Sequence, residues 1–222
     1  MGPGNELGEP IGIIEVPEHV GGSCLLNDWS AGDIQAWEYQ PLGPFLSKNF
    51  ASTVSTWIVT PEALAPFRIA QPSRPEADPL PLSYLTNEAG QRESALDLEL
   101  EILVLTHSLR EKGMSPHRLV LSNARHMYWT VAQMITHHTS NGCNLQTGDL
   151  PGTVTTSWPD QTSWGRILEA TLGGKSPVNL ASEEERHFLE DGDEVILRAR
   201  GRRDSFAPVS FGECLAMILP AV

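Results

Sequence analysis

Leu96-Asp97-Leu98-Glu99-Leu100-Glu101-Ile102 alternates apolar and acidic side chains without interruption. A period of two is that of a strand with one face buried and the other wet. Upstream, Thr53-Val54-Ser55-Thr56-Trp57-Ile58-Val59 is rich in β-branched and aromatic residues and is halted by Pro61, again a strand signature. Downstream, Arg166 to Leu172 and Glu194 to Arg198 read as strands, the second entered through a turn at Asp191-Gly192-Asp193, and Phe211 to Leu219 as a closing strand. One segment has a helical period. Ser122 or Asn123 would cap it, Ala124, Met127, Tyr128, Val131, Met134 and Ile135 share its apolar face, and Asn141-Gly142 supplies a left-handed stop. Phe67 to Asn87 is dense in proline and polar residues and reads as a long surface connection. The pattern predicts a single mainly β domain with few helices, of the α+β class, without internal repeats. Gly2-Pro3-Gly4-Asn5-Glu6-Leu7-Gly8-Glu9-Pro10 is a loop signature that normally joins two strands, yet only Met1 precedes it.

At 222 residues and 40% apolar content the chain is long enough to bury a real core. Its formal net charge of −13 repels phosphate backbones and anionic lipid, which argues against nucleic-acid and membrane partners. The chain contains no apolar stretch near the roughly 20 residues that cross a bilayer, and its start lacks the pattern of a signal peptide. Cys24, Cys143 and Cys214 are odd in number and widely spaced, as suits reduced thiols in a cytoplasmic protein. Serine-hydrolase, zincin, P-loop and Rossmann motifs are all absent. His137 and His138 are adjacent, so on a helix they diverge by about 100° and cannot chelate one metal together.

The stretch richest in chemistry is Asn27-Asp28-Trp29-Ser30-Ala31-Gly32-Asp33-Ile34-Gln35-Ala36-Trp37-Glu38-Tyr39-Gln40-Pro41-Leu42-Gly43-Pro44-Phe45-Leu46-Ser47-Lys48-Asn49-Phe50, which gathers carboxylates, an amide, a phenol and one of only three lysines. On the residues alone Asp28, ahead of a helix-like run from Ala31 to Tyr39, reads more readily as a cap than as a metal ligand, and Asp33 and Glu38 as capping or surface groups. Lys48, inside an apolar loop, is as consistent with snorkelling to solvent as with a site. Gln35 and Tyr39 are four apart and share a helix face. Glu169 alone is a residue on the wet face of a strand.

This stretch, with Met127-Tyr128-Trp129-Thr130, Thr136-His137-His138, Asn141-Gly142-Cys143-Asn144-Leu145, Thr147-Gly148-Asp149-Leu150 and Asp191-Gly192-Asp193-Glu194-Val195, resembles the C-terminal half of the fumarylacetoacetase (fumarylacetoacetate hydrolase) family. The resemblance implies a catalytic β-sandwich roll preceded in the family by a β-barrel-like domain, a homodimer, and Ca²⁺ or Mg²⁺ at an all-oxygen site. The reaction it implies is hydrolysis of a C–C bond of the β-diketone fumarylacetoacetate to fumarate and acetoacetate, in tyrosine and phenylalanine catabolism. It assigns Asp28 as a metal ligand with Lys48 and Ser52 beside it, Gln35, Tyr39 and Thr153 to substrate, and Glu169, Lys48 and Gln35 to catalysis. Thr153, in Gly148-Asp149-Leu150-Pro151-Gly152-Thr153, sits in a shorter loop than the family's. Gly32 stands where the family has arginine, and Ala51-Ser52 where it has Gly-Thr. The family's other metal carboxylates and its catalytic histidine have no counterpart here, so the expectation for 1–222 is an N-terminally incomplete catalytic domain, weak or inactive alone. The alternative is a non-catalytic family remnant that acts as a binding or dimerisation module.

Overall fold

A computed structural model describes residues 1–153, 156–157 and 164–221. Its spine is a four-stranded antiparallel sheet ordered β10-β9-β5-β6, with β5 Glu99–Leu105, β6 His117–Asn123, β9 Glu194–Gly201 and β10 Val209–Met217. Three two-stranded ribbons flank it: β1 Leu26–Asp28 with β2 Ser52–Val54, β3 Arg68–Ile69 with β4 Ala95–Leu96, and β7 Val178–Asn179 with β8 Glu185–Arg186. Helices are short: α1 Val16–His19, α2 Gly32–Glu38, α3 Pro61–Leu64, α4 His107–Glu111, α5 Val131–Thr139 and α6 Ile167–Ala170. The mainly β, few-helix α+β class is the one the residue pattern calls for.

The acidic alternation forms β5, but its faces are not the expected buried and wet ones: Glu101 is buried, while Leu100 and Ile102 are half-buried. Glu99 and Glu101 lie on one face of β5, where they pair with Arg200 of β9 and, for Glu101, also with Arg118 of β6. Below the sheet, Val59, Leu64, Phe67, Leu98, Ala124, Ala199 and Phe211 form the main core. Gly201 is required there, because a Cβ would come within 2.7 Å of the Phe67 ring. A second cluster of Ile11, Val16, Ile135 and Leu145 packs α5 against the N-terminal segment. That segment forms no strand. Asn5 bonds to the backbone of Cys143 and Leu145, and Gly8 N–H donates to Gly142 O.

Several expected boundaries move, each for a local reason. The strand expected over Leu96 to Ile102 is interrupted at Asp97, whose carboxylate turns to accept from Asn123 Nδ2 at 2.9 Å and to pair with Arg125. Of the strand expected over Thr53 to Val59 only β2 forms, and Val59 makes an isolated bridge to Ser23. The helix expected after Ser122 or Asn123 starts at Val131 instead, because β6 stays paired to β5 as far as Asn123, which caps only a single 3₁₀ turn at Ala124–His126. The helix proper opens with a capping box in which Thr130 and Gln133 exchange side chain–backbone bonds, and it stops before Gly142 at φ +86°. The strand expected over Arg166 to Leu172 is the helix α6. Ile, Leu, Glu and Ala all tolerate the helical well, and Thr171 N–H closes the turn on Ile167 O at 2.8 Å. The Phe67 to Asn87 connection is mostly irregular as expected, though Phe67 and Leu85 anchor it in the interior.

A polar network joins the β8–β9 end. Arg186 grips Asp193 with two bonds of 2.9 and 3.2 Å and reaches Glu184 at 3.1 Å, while Glu184 accepts from Thr106 Oγ1 at 2.6 Å and Ser182 Oγ at 2.5 Å. Asp193 is 1% exposed. Asp193→Ala removes the two-bond partner of Arg186 but leaves Glu184 and Glu190 beside it, so it is expected to lower unfolding free energy by about 1–3 kcal/mol in urea titration.

Burial works to raise the Glu184 carboxyl, but bonds from Ser182, Thr106 and Arg186 hold it below the usual carboxylate range; Asp97 is lowered likewise, its burial outweighed by Arg125 and Asn123. Burial pushes the His117 and His126 imidazoles down. All four groups bind protons more tightly unfolded than folded, so stability rises with pH through each transition. Urea midpoints are expected to fall in two stages on acidification, first below about pH 6.5 from the histidines and again below about pH 4 from the carboxylates. His117→Asn should shrink the first stage and leave the second.

Candidate functional site

The site hangs from the sheet's edge. β10 lies beside β2, where Cys214 Sγ contacts Thr53 O at 3.2 Å, and β2 pairs with β1 so that Asp28 and Ser52 are register partners. Asp28 is therefore a strand-end residue and not a helix cap; α2 begins after Ala31 with no side-chain cap. Trp29 Nε1 donates to Thr53 Oγ1 at 2.9 Å and locks the ribbon's end.

Lys48 returns to Asp28 from a 3₁₀ turn at Leu46–Lys48. Its ammonium lies 2.5 Å from Asp28 Oδ2, 2.7 Å from Ser30 Oγ and 3.4 Å from Asp28 O. The turn is held by Ala31 N–H, which donates to Ser47 O at 3.0 Å, and by the Glu38 carboxylate. Glu38 accepts from the N–H groups of Phe45 at 2.7 Å, Leu46 at 3.2 Å and Ser47 at 2.8 Å. The Ser47 hydroxyl and these N–H groups hold its carboxyl below the usual range.

Gln35 and Tyr39 stand one turn apart on α2, Tyr39 N–H donating to Gln35 O at 3.1 Å. Gln35 is half-buried and Tyr39 exposed. Across from α2 a cleft of about 950 Å³ is lined by Gly32, Asp33 and Ala36 on one side and Leu168, Glu169, Leu172 and Phe188 on the other, with Ser157 and Trp164 at its end. Glu169 thus faces this cleft from a helix, and its Oε2 accepts from Ser157 Oγ at 2.6 Å. Thr153 is exposed, on a segment that runs beside β1: a Cβ at the adjacent Gly152 would lie 3.3 Å from Leu26 Cδ2.

Asp28, Lys48 and Ser52 are brought together, Gln35 and Tyr39 share α2, and Glu169 opposes the start of that helix. Ser30 and Ser157 are polar residues without a reading in the sequence, and Glu38, read there as a capping or surface group, accepts three backbone N–H groups of the turn before Lys48. Ser30 carries a weak signal, two residues after Asp28 in a polar run; Glu38 and Ser157 act through folds of the chain that no spacing reveals. Among the described residues no three His, Cys, Asp or Glu side chains converge as a metal-holding group. Asp28 and Ser52 offer one carboxylate and one hydroxyl, whereas Ca²⁺ takes about six to eight oxygens. The described residues therefore do not by themselves fit a complete cation site.

The architecture is an α+β domain with a carboxylate–ammonium cluster at the end of the β1–β2 ribbon, and comparison narrows it. Residues 5–214 match the family model for the fumarylacetoacetate (FAA) hydrolase C-terminal domain. The chain is 47% identical to the fumarylacetoacetase of Dictyostelium discoideum over 99% of its own length and 49% of that protein's. It is 45% identical to that of Bos taurus and 46% identical to that of Oryza sativa subsp. japonica, in each case over 100% of its length and 50% or 49% of theirs. The chain belongs to the fumarylacetoacetate hydrolase family, and it spans about half the length of the curated relatives it matches.

At Gly32 an added Cβ would meet Leu168 Cδ1 and Cδ2 at 3.5 and 3.7 Å, ordinary contacts on the cleft wall. Gly32→Ala is therefore expected to stabilise by about 0.4–1 kcal/mol through reduced unfolded-state entropy, read as a higher urea midpoint.

Proposed function

We propose that this chain supplies the C-terminal part of a fumarylacetoacetase-type active site, for hydrolysis of a carbon–carbon bond in a β-diketo acid, with fumarylacetoacetate as substrate in tyrosine and phenylalanine breakdown. The observation that carries the reading is the Asp28–Lys48–Ser30 cluster, a fixed ammonium and a carboxylate at the mouth of β1–β2. Water adds its hydroxide to one carbonyl carbon, the adjacent C–C bond breaks, and its electron pair leaves on the acetoacetate carbon as an enolate that then takes up a proton. Lys48 stabilises the oxyanion that develops, an interaction strongest at the transition state. Glu169, held by Ser157, orients and deprotonates the water, and Gln35, Tyr39 and Thr153 hydrogen-bond substrate oxygens. A bound Ca²⁺ or Mg²⁺ ion would polarise the diketone, with Asp28 as one of its ligands and Ser52 alongside.

Because the ligand set is incomplete, isothermal titration is expected to show Ca²⁺ or Mg²⁺ binding to this chain weaker than micromolar. Turnover by the chain alone, followed by absorbance of fumarylacetoacetate, is expected to be negligible. Residues 1–222 exchanged into the matching half of the Dictyostelium relative should turn over, and Glu169→Gln in that chimera should cost about 10²–10⁴-fold in kcat. A folded but inactive chimera would favour the binding or dimerisation module.

The same reading includes a homodimer in the cytoplasm. Trp37 is 90%, Leu42 80% and Leu46 70% exposed, and Trp57 and Ile58 are exposed nearby in sequence, an apolar surface of the kind that marks protein contacts. Sedimentation equilibrium should give a dimer that Trp37→Lys with Leu42→Lys dissociates. No helix among the described residues is long and apolar enough to cross a membrane, and the acidic net charge of −13 disfavours nucleic-acid and anionic-lipid partners.

A further inference from the structure

We propose that Glu38 is the positioning residue for Lys48, an inference that rests on reading the Asp28–Lys48 pair as part of the site. Glu38 is the last residue of α2, where the negative end of the helix dipole disfavours a carboxylate. Its place there is offset by three backbone N–H groups, those of Phe45, Leu46 and Ser47, at 2.7, 3.2 and 2.8 Å. Those residues are the approach to Lys48, and none of the three N–H groups would otherwise have a partner within a single 3₁₀ turn. Ser47 is fully buried, and its carbonyl is gripped from the other side by Ala31 N–H. The turn is thus clamped between the two ends of α2. Lys48 projects from the clamped turn onto Asp28 and Ser30.

Side-chain entropy makes this clamp consequential. A free lysine loses more rotamer freedom when fixed than a half-exposed ion pair returns. The Asp28–Lys48 pair, with side chains 48% and 31% exposed, would hold poorly on a loose loop. Glu38 removes the backbone part of that disorder before the pair forms. Neither an apolar side chain nor an amide substitutes for it, since an amide presents donors of its own to the converging N–H groups.

The chain has three lysines, which makes a direct test possible. Trace acetylation with acetic anhydride, read by mass spectrometry of the three lysine peptides, compares Lys48 with the exposed Lys175 and with Lys112, which donates to Ser182 O at 2.8 Å. An amine bonded to three oxygens must break those bonds before it attacks the reagent. Lys48 is expected to react several-fold more slowly than Lys175 in the native chain. In Glu38→Gln the Lys48/Lys175 ratio is expected to rise several-fold while Lys112/Lys175 stays constant, and Glu38→Asp, which keeps the charge with a shorter reach, should give a smaller rise. Asp28→Asn run in parallel separates the two readings. If Lys48 speeds up in Asp28→Asn but not in Glu38→Gln, the positioning role is overturned and the pair stands. If it speeds up in neither, the pair itself is overturned. If Lys112 accelerates with Lys48 in both Glu38 variants, the effect is general loosening and the positioning role again fails.

Discussion

The pairing of β5 with β9 is the constraint on which the rest of the molecule depends. It joins residues 99–105 to 194–201, so one ladder closes a loop of about ninety residues that contains β6, α5, α6 and the β7–β8 ribbon. Loop-closure entropy of that size must be met by contacts at both ends of the ladder. At one end Glu99 and Glu101 meet Arg200 across the strands. At the other, Arg186, Asp193 and Glu184 lock the turn into β9, and Arg110 from α4 donates to Gly192 O beside it. Below the middle, Phe67 lies against Gly201 at the strand's exit. Hydrophobic burial under the sheet supplies most of the driving force; the polar ends define the register, which a slip of one residue would invert face for face.

From that ladder the site follows by contiguity. β9 carries β10, β10 abuts β2, β2 sets the register of β1, and β1 ends on Asp28. Each step is a short-range contact, so the position of the Asp28 carboxylate is fixed by the sheet even though the carboxylate is nearly half exposed. Lys48 reaches it by another route, through the turn that Glu38 and Ala31 hold. An exposed pair of this kind adds little to stability, unlike the nearly buried Arg186–Asp193 pair, whose partners are inseparable from folding. The two ion pairs therefore differ in kind, one integral to the scaffold and one on the surface that folding leaves open.

Strand character is legible in Leu96–Ile102, Glu194–Arg198 and Phe211–Leu219 from residue type and alternation, though the ends shift and the buried face of β5 does not follow from it: Glu101 lies inside because Arg118 and Arg200 pair with it. The start of α5 is not legible, since the apolar spacing from Ala124 to Ile135 fits a helix as well as the strand end, 3₁₀ turn and helix that tertiary pairing selects. Leu168 and Glu169 were taken for strand residues for a similar reason: a four-residue helix is too short to display a period. At the site, Asp28 and Lys48 stand out through residue type and resemblance, and they lie 2.5 Å apart. Glu38 reads as a capping or surface group, and it does accept backbone N–H groups, but those of the Phe45–Ser47 turn, which no spacing identifies. Ser157 is silent, twelve residues from the Glu169 it serves.

The half-exposed setting of Asp28 and Lys48 determines how strongly the ammonium acts on its surroundings. In open solvent the field of Lys48 is screened within about 8–10 Å and its attraction for a developing oxyanion is modest. The exposed Trp37, Leu42, Phe45, Leu46 and Phe50 belong to the same stretch, on α2 and on the turn that carries Lys48. A surface laid over those side chains would exclude water from around the ammonium as it buried the apolar groups, and the local dielectric would fall. The Coulomb interaction then strengthens severalfold with no change in the pair's geometry. Because Glu38 holds the turn from the α2 side, the ammonium has no need to move when it is covered. Gly32 to Phe50 thus carries both features: apolar side chains that face outward, and an ammonium held in advance by the turn that bears it.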